Sequence, residues 1–466
     1  MGDLAADEAA DGCDRFLLRR ADRQRSRDFT GPAPDRGNIE LERKHHAPLS
    51  GIAMSTAHPD ALRPAAHGLK AAIKAWVLEH LPFAFRILRA VRPIARLGNN
   101  VVVTRYDDVR EVFLNDAAFR VTYFDKLNVI MGGTPFFLSM DDTPVYRRDT
   151  DAMRKVVRVT DITQRLTADV ERMAQQIVAG ANGSLEVVDQ LARRIAFELY
   201  SGYLGVTAPP GGDLQVYVTR LFEFQFADPD NDPSLRAEVD VMAPAMRNHI
   251  QHLIDARRSA GHGPDNVLGR CVDMQAQGID GFSDEQIRNA LLAFIYGGPP
   301  QVAMGVPQAL EQLLRRPDAL AGAQQAARDG DDKLLAGYFF EAMRFDPIGP
   351  FVPRVATKDA AIAAGTSRAA QVPKGANVYV AFSSAMMDQR KIPDPEAFDP
   401  RRPPDDYIHF GHGLHQCFGI HLNKALLPLI LKPLLQRKNL RRAPGPKGKL
   451  IKRGGVFADT LFVNYD

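Results

Sequence analysis

Phe410-Gly411-His412-Gly413-Leu414-His415-Gln416-Cys417-Phe418-Gly419 is the stretch on which the reading of this 466-residue sequence turns. Its glycines let the backbone turn tightly and approach a bound group closely. Ile420, Leu422, Ala425, Leu426 and Leu427 follow at helical spacing, so the loop runs into a helix. Free amides at a helix start favour negative charge, which places Cys417 to remain a thiolate.

Three roles for that sulfur are open on the residues alone. It can be a buried structural cysteine. It can share a zinc ion, because His409, His412, His415, Cys417 and His421 cluster within thirteen residues. It can bind haem iron, where a thiolate pushes electron density toward the metal and amide hydrogen bonds moderate that push.

Upstream, Tyr338-Phe339-Phe340-Glu341-Ala342-Met343-Arg344 places Glu341 and Arg344 three apart on one helix face. Most such pairs are solvated and contribute little. Earlier still, Ala293-Phe294-Ile295-Tyr296-Gly297-Gly298-Pro299-Pro300-Gln301 carries two adjacent prolines, which remove backbone donors and kink a helix. Helical patterns cover 161–181, 189–205, 213–227, 236–259, 284–298, 302–315 and 332–345, with strand signals near 101–104, 351–356 and 376–382. Asp107 and Asp108 are candidate caps for a helix carrying Val109, Val112 and Phe113. Pro428 and Pro433 should shorten or bend the helix after the cysteine.

The chain is 45% hydrophobic and 25% charged, enough apolar content to bury a large core. Its 59 basic and 56 acidic residues leave a net charge of +3, so no strong field favours nucleic acid or an anionic membrane. Cys13, Cys271 and Cys417 are far apart and odd in number, which argues against a disulfide framework and fits a reducing, cytoplasmic compartment.

No run reaches the roughly eighteen apolar residues of a membrane span, so a soluble protein without a transmembrane anchor is expected. Leu69, Ile73, Trp76, Val77 and Leu81 recur at helical spacing and read as the inner face of a soluble helix, an interfacial helix being the other reading. Residues 1 to about 55 lack apolar periodicity and read as a disordered extension, with Met54 an alternative start to Met1. A single folded domain is expected over 56–466.

The cysteine stretch resembles the signature of cytochromes P-450, Phe-Gly-x-Gly-x-His-x-Cys-x-Gly, at every fixed position from Phe410 to Gly419. The resemblance spans about 65–466, with firm motifs in the last third. It implies a mainly α fold with small β-sheets, a triangular helical prism enclosing haem b. By resemblance Cys417 is the axial iron ligand, His415 contacts a haem propionate, Phe410 packs beside the sulfur, and Gly419 completes the cofactor loop. The family's Glu-x-x-Arg pair matches Glu341 and Arg344, and Phe398-Asp399-Pro400-Arg401-Arg402 resembles the meander whose arginine, here Arg402, closes a structural network. Arg354 matches a propionate-binding arginine. Arg154 resembles another at the start of a family helix, although the histidine expected upstream of it is missing.

The resemblance breaks at the oxygen side. Where the family usually carries an acid followed by threonine, alignment on Gly297 puts Pro299 and Pro300, which supply no side-chain donor. Gly297, Gly298, Pro299, Pro300 and Gln301 therefore form an atypical oxygen-side segment, in which Gln301 could position an oxygen.

The activity implied is oxidation of a hydrophobic small molecule. Monooxygenation would use O2 and electrons from a separate ferredoxin or flavoprotein reductase, since the chain shows no nucleotide-binding loop. The alternative is a peroxygenase, or a lipid hydroperoxide isomerase or dehydratase, needing no electron donor. A third possibility is a haem or zinc binding protein without turnover. Tyr123, Phe124, Leu127, Ile130, Met131, Phe136, Phe137, Ile348, Phe351 and Val352 are candidate substrate-facing residues.

Overall fold

Valines spaced two apart build the sheet that anchors one side of the protein. The computed structural model describes residues 69–453 and 456–466. The expected N-terminal extension and the Met54 start lie outside them. Helix α1 (Leu69–Val91) leads into the antiparallel pair β1 (Ile94–Leu97) and β2 (Asn100–Val103), then α2 (Tyr106–Leu114), β3 (Phe119–Val121) and α3 (Phe124–Met131). In β2, Val101 and Val103 point inward and pair in parallel register with Val378 and Val380 of a later strand. The resulting five-stranded sheet runs β1-β2-β8-β5-β3, with β5 at Val352–Ala356 and β8 at Asn377–Val380. Its buried face packs with Tyr106, Phe113 and Phe119 into one apolar core.

The larger core is helical. Its elements are α4 (Pro144–Val156), α5 (Thr167–Gly180), α6 (Arg194–Leu204), α7 (Leu214–Phe222), α8 (Pro233–Ala260), α9 (Val267–Ala276), α10 (Asp284–Gly297), α11 (Pro299–Leu314), α12 (Pro317–Asp329) and α13 (Asp332–Phe345). A four-residue helix, α14 (Phe382–Ala385), and the long α15 (Ile420–Leu435) follow the sheet. In α8, Leu235, Val239, Met246, Ile250 and Ile254 form the buried stripe that its 3.6-residue period requires. Helix α11 is buried nearly all round, as suits a helix crossing the centre of a large core. Short strands at the C-terminal end, including β12 (Phe462–Asn464), close a small three-stranded sheet with Ser184–Glu186.

Several expectations are corrected. Asp107 and Asp108 do not cap α2; Arg105 is the N-cap, and the two acids sit in the first turn, where they complement the helix dipole. Asp108 is instead paired with Arg368, whose Nε donates to both its oxygens at 3.0 Å. Pro428 and Pro433 do not interrupt α15, which runs through both. Both prolines are buried, and packing around that helix compensates for the lost backbone bonds. Trp76 is not on an inner face. It is 60% exposed, and Val77, Phe83 and Ile87 are exposed with it, while Arg89 on the inner side donates to Ser384 of α14. Phe124 is also outward, stacked under the Arg120 guanidinium, whereas Leu127, Ile130, Met131, Phe136 and Phe137 are buried. Among the described residues no helix is long and apolar enough to cross a membrane.

Candidate active site

The cysteine loop turns on Gly411 and Gly413, both in the left-handed region at φ +70° and +75°. A Cβ on Gly413 would lie 2.6 Å from the Phe113 carbonyl oxygen, so only glycine fits there. The turn brings the Cys417 N–H to the Phe410 carbonyl oxygen at 2.9 Å, and α15 begins at Ile420 with Gly419 as its N-cap. Phe410 packs edge-on against Phe340. The Cys417 sulfur accepts the Gly419 amide and faces Asn423 Nδ2 at 3.9 Å.

These donors pull the Cys417 thiol down, but burial pushes it up by more, so the helix start alone does not keep it ionised. That corrects the sequence expectation. A cation bound at the sulfur would supply the missing charge, because a coordinating thiol is deprotonated outright.

The histidines around the cysteine do not converge on it. The His409 ring bonds the Phe340 carbonyl at 3.1 Å, the His412 ring meets Arg110 at 3.1 Å, and His415 lies 3.7 Å from Asp116. Among the described residues no three His, Cys, Asp or Glu side chains are grouped to hold a metal ion, so a zinc cluster is not formed.

Glu341, Arg344 and Arg402 do come together, and all three are buried. Arg344 donates to both Glu341 oxygens, at 2.9 Å and 2.7 Å, and Arg402 Nε donates to Oε1 at 3.2 Å. The Asp399 amide and the Tyr407 hydroxyl complete the carboxylate's shell. Arg402 also donates to the carbonyls of Pro393, Asp394 and Ala397, which ties the irregular 393–402 segment to α13. The role of Tyr407 had no signal in the sequence, since it lies in a loop without periodicity.

On the other side of the loop, a pocket is lined by Phe137, Leu138, Tyr146, Thr150, Arg154, His415, Gln416 and Phe418. Arg154, in the last turn of α4, lies 4.9 Å above the Phe418 ring. Phe418 stacks on Phe294 of α10 with centroids 5.0 Å apart and packs beside Phe137. Arg354 of β5 is buried and donates only to the Pro353 carbonyl, leaving Nε without a partner. His415 likewise leaves Nδ1 unpartnered, and burial with Arg354 and Arg120 nearby pushes it down to about 4.

The central helix breaks where the sequence says it should. Helix α10 ends at Gly297 and α11 starts at Pro299, so Pro299 and Pro300 occupy the first turn, where their missing N–H groups cost least. The Gln301 amide N–H turns to Gly298, and its side-chain Nε2 donates to the Gly297 carbonyl at 2.8 Å. One of its two side-chain N–H groups is thus taken by backbone. Gly298 has no side chain because a Cβ would meet the Tyr200 ring at 2.1 Å.

A half-buried cysteine loop leading into a helix, with the broken central helix and a five-stranded sheet beside it, is the arrangement expected of a haem-thiolate protein. The family model "Cytochrome P450" matches residues 233–459, just under half of the chain. The chain is 24% identical over 400 residues to a bifunctional dioxygenase (DOX)-epoxy alcohol synthase (EAS) of Pyricularia oryzae, covering 77% of this chain and 34% of the relative, so it spans about a third of that protein's length. It is 26% identical to the mycinamicin IV hydroxylase/epoxidase of Micromonospora griseorubida over 75% of this chain and 86% of the relative. The crystal structure of CalO2 superposes with a TM-score of 0.71 at 22% identity, covering 84% of this chain and 97% of that one.

The cofactor of the family is haem b. The residues present fit it: a buried sulfur with two N–H donors, and two buried nitrogen groups, Arg354 Nε and His415 Nδ1, that lack partners. Aromatic walls from Phe137, Phe294 and Phe418 complete the set.

Proposed function

We propose that Cys417 is the axial ligand of haem b and that Arg354, His415 and Arg154 receive its propionates. Phe410 and Gly419 shape the loop around the sulfur, and the Glu341–Arg344–Arg402 network holds the proximal side rigid. With its thiolate ligand, haem iron supplies cleavage of an O–O bond.

The reaction class we propose is rearrangement of a hydrophobic organic hydroperoxide. The observation that carries this is the Pro299–Pro300 pair at the oxygen-side turn of the central helix. Cleaving molecular oxygen to water and a hydroxylated product needs two electrons and two protons, and the side chains that usually organise those protons are replaced by rings without a donor. Gln301 is not an acid or a hydroxyl, and one of its two side-chain N–H groups is taken by the Gly297 carbonyl. A hydroperoxide needs neither supply. Its O–O bond breaks, the released oxygen is added elsewhere on the same molecule, and substrate and product are isomers. The apolar walls suit a lipid-like substrate and keep water out. The likeness to a fungal protein named for epoxy alcohol synthesis supports the same class.

The deciding experiment mixes haem-loaded protein with a fatty-acid hydroperoxide anaerobically, without reductant. Rapid loss of hydroperoxide with formation of an isomeric product is expected. No turnover there, together with a hydroxylated product when reductase and oxygen are added, overturns it. That second outcome is monooxygenation with a ferredoxin or flavoprotein partner, which the likeness to a bacterial hydroxylase/epoxidase over most of both chains supports.

A further inference from the structure

We propose that Asn423, oriented by Tyr200, is a side-chain hydrogen-bond donor to the Cys417 sulfur that weakens electron donation from the thiolate to a bound iron. The inference rests on the reading of Cys417 as axial ligand.

Asn423 sits in the first turn of α15, its backbone N–H on the Gly419 carbonyl at 2.9 Å. Helical side chains lean toward the N-terminus of their helix, which carries the Asn423 amide back over the loop. It ends with Nδ2 at 3.9 Å from the sulfur, a long contact of the weak N–H···S kind. Gly419 lies beside both groups: a Cβ there would be 3.4 Å from Asn423 Nδ2 and 3.9 Å from the sulfur, ordinary contact distances.

An asparagine amide can present either end, and the wrong end would put a carbonyl oxygen against an electron-rich sulfur. An electron-rich sulfur favours the Nδ2 end, and Tyr200 supports that orientation by donating to the other end, although a phenol hydroxyl can also accept. The Tyr200 hydroxyl donates to Asn423 Oδ1 at 3.0 Å, which leaves Nδ2 facing Cys417. The phenol stays neutral and able to donate, because burial and the nearby sulfur both push its ionisation up. The ring is itself seated against Gly298, where a Cβ would overlap it at 2.1 Å. Residues from α6, from the junction of α10 and α11, and from α15 thus combine to set one N–H on one sulfur.

A hydrogen bond to a metal-bound thiolate draws electron density from the sulfur and stabilises the reduced metal. Asn423 and Tyr200 are positioning residues, and the readout is the iron rather than turnover. The test measures the ferric/ferrous midpoint potential and the iron–sulfur stretching frequency of haem-loaded protein. Asn423→Leu, similar in size but without a donor, should shift the reduction equilibrium toward the ferric form by about tenfold, or about 59 mV for one electron, and raise the stretching frequency. Tyr200→Phe keeps the ring against Gly298 and removes the hydroxyl, so it should move both readouts the same way by less. If Asn423→Leu fails to load haem, Tyr200→Phe decides alone. Loaded variants with unchanged potential and frequency overturn the proposal. Absence of a thiolate-type spectrum in the unaltered protein overturns instead the assignment of Cys417.

Discussion

Gln301 Nε2 donates to the carbonyl oxygen of Gly297, across the two prolines that separate α10 from α11. The usual helical partner of the Gly297 carbonyl, the Gln301 backbone N–H, turns to Gly298 at this junction, and the Gln301 side chain replaces that bond. Gln301→Ala should therefore lower stability by about 1 kcal/mol, the value of one such bond. Gln301→Glu, which has no donor, should lower it at least as much. Denaturant midpoints of the two variants at equal slope check this, and a midpoint unchanged in both would show that the junction does not depend on the side chain.

Glu341 is fully buried with four donor groups around it, from Arg344, Arg402, Asp399 and Tyr407. Glu341→Ala leaves two buried guanidinium groups without their anion, and breaking a buried pair from one side costs about 3–5 kcal/mol. Arg402→Lys should be damaging too, because a single ammonium cannot reach the carboxylate and three separate carbonyls at once. The expected outcome is a large fall in thermal midpoint together with loss of haem retention, since the 393–402 segment is released along with the network. Normal haem content in Glu341→Ala would refute the structural role.

Much of this was legible in the residues, and the reasons differ by element. The cysteine loop could be read because its glycines, histidine and cysteine are fixed in type by tight turns and ligand chemistry. The helix over Pro233–Ala260 showed itself through a strong apolar period, whereas Pro317–Asp329 buries only alanines on its inner face, too weak a contrast to register. The proline break between α10 and α11 was visible because two adjacent prolines remove two successive backbone donors. In α15 the same rule misled, since the tertiary packing that holds that helix through Pro428 and Pro433 is not written in local sequence. Tyr200 and Asn423 could not be found in advance: they are 223 positions apart and meet only through the crossing of three helices.

Acid should destabilise the fold in part through His409. Its ring bonds the Phe340 carbonyl and is buried, and desolvation lowers its pKa from 6.5 to about 4. The unfolded chain takes up this proton near pH 6.5, whereas the native ring refuses it until about pH 4, so native stability falls as pH drops through that window. The contribution approaches about 3 kcal/mol at the acid end. His409→Gln keeps a donor for the carbonyl and does not titrate. The gap in stability between wild type and variant should therefore shrink or reverse toward pH 4, and a gap independent of pH between 7 and 4 would exclude His409 as the source.

Arg354 predicts opposite effects on the protein with and without its cofactor. The guanidinium is buried in β5 with a single bond to the Pro353 carbonyl, and desolvation lowers its pKa against partial compensation from Tyr123 and Asp116. A buried cation so poorly paired is a cost to the apoprotein, and replacing such a group by an apolar side chain is neutral or stabilising by about 1–4 kcal/mol. Arg354→Met should accordingly unfold at the same temperature as wild-type apoprotein or higher. Loaded with haem it should do worse, because a charge-assisted bond to a carboxylate is worth about 1.5–3 kcal/mol and its loss weakens cofactor binding by about tenfold or more. Thermal midpoints of both forms, together with the rate of haem transfer to an acceptor protein, separate the two effects. A variant that loses apoprotein stability yet holds haem as tightly as wild type would make Arg354 a structural residue and remove it from the cofactor site.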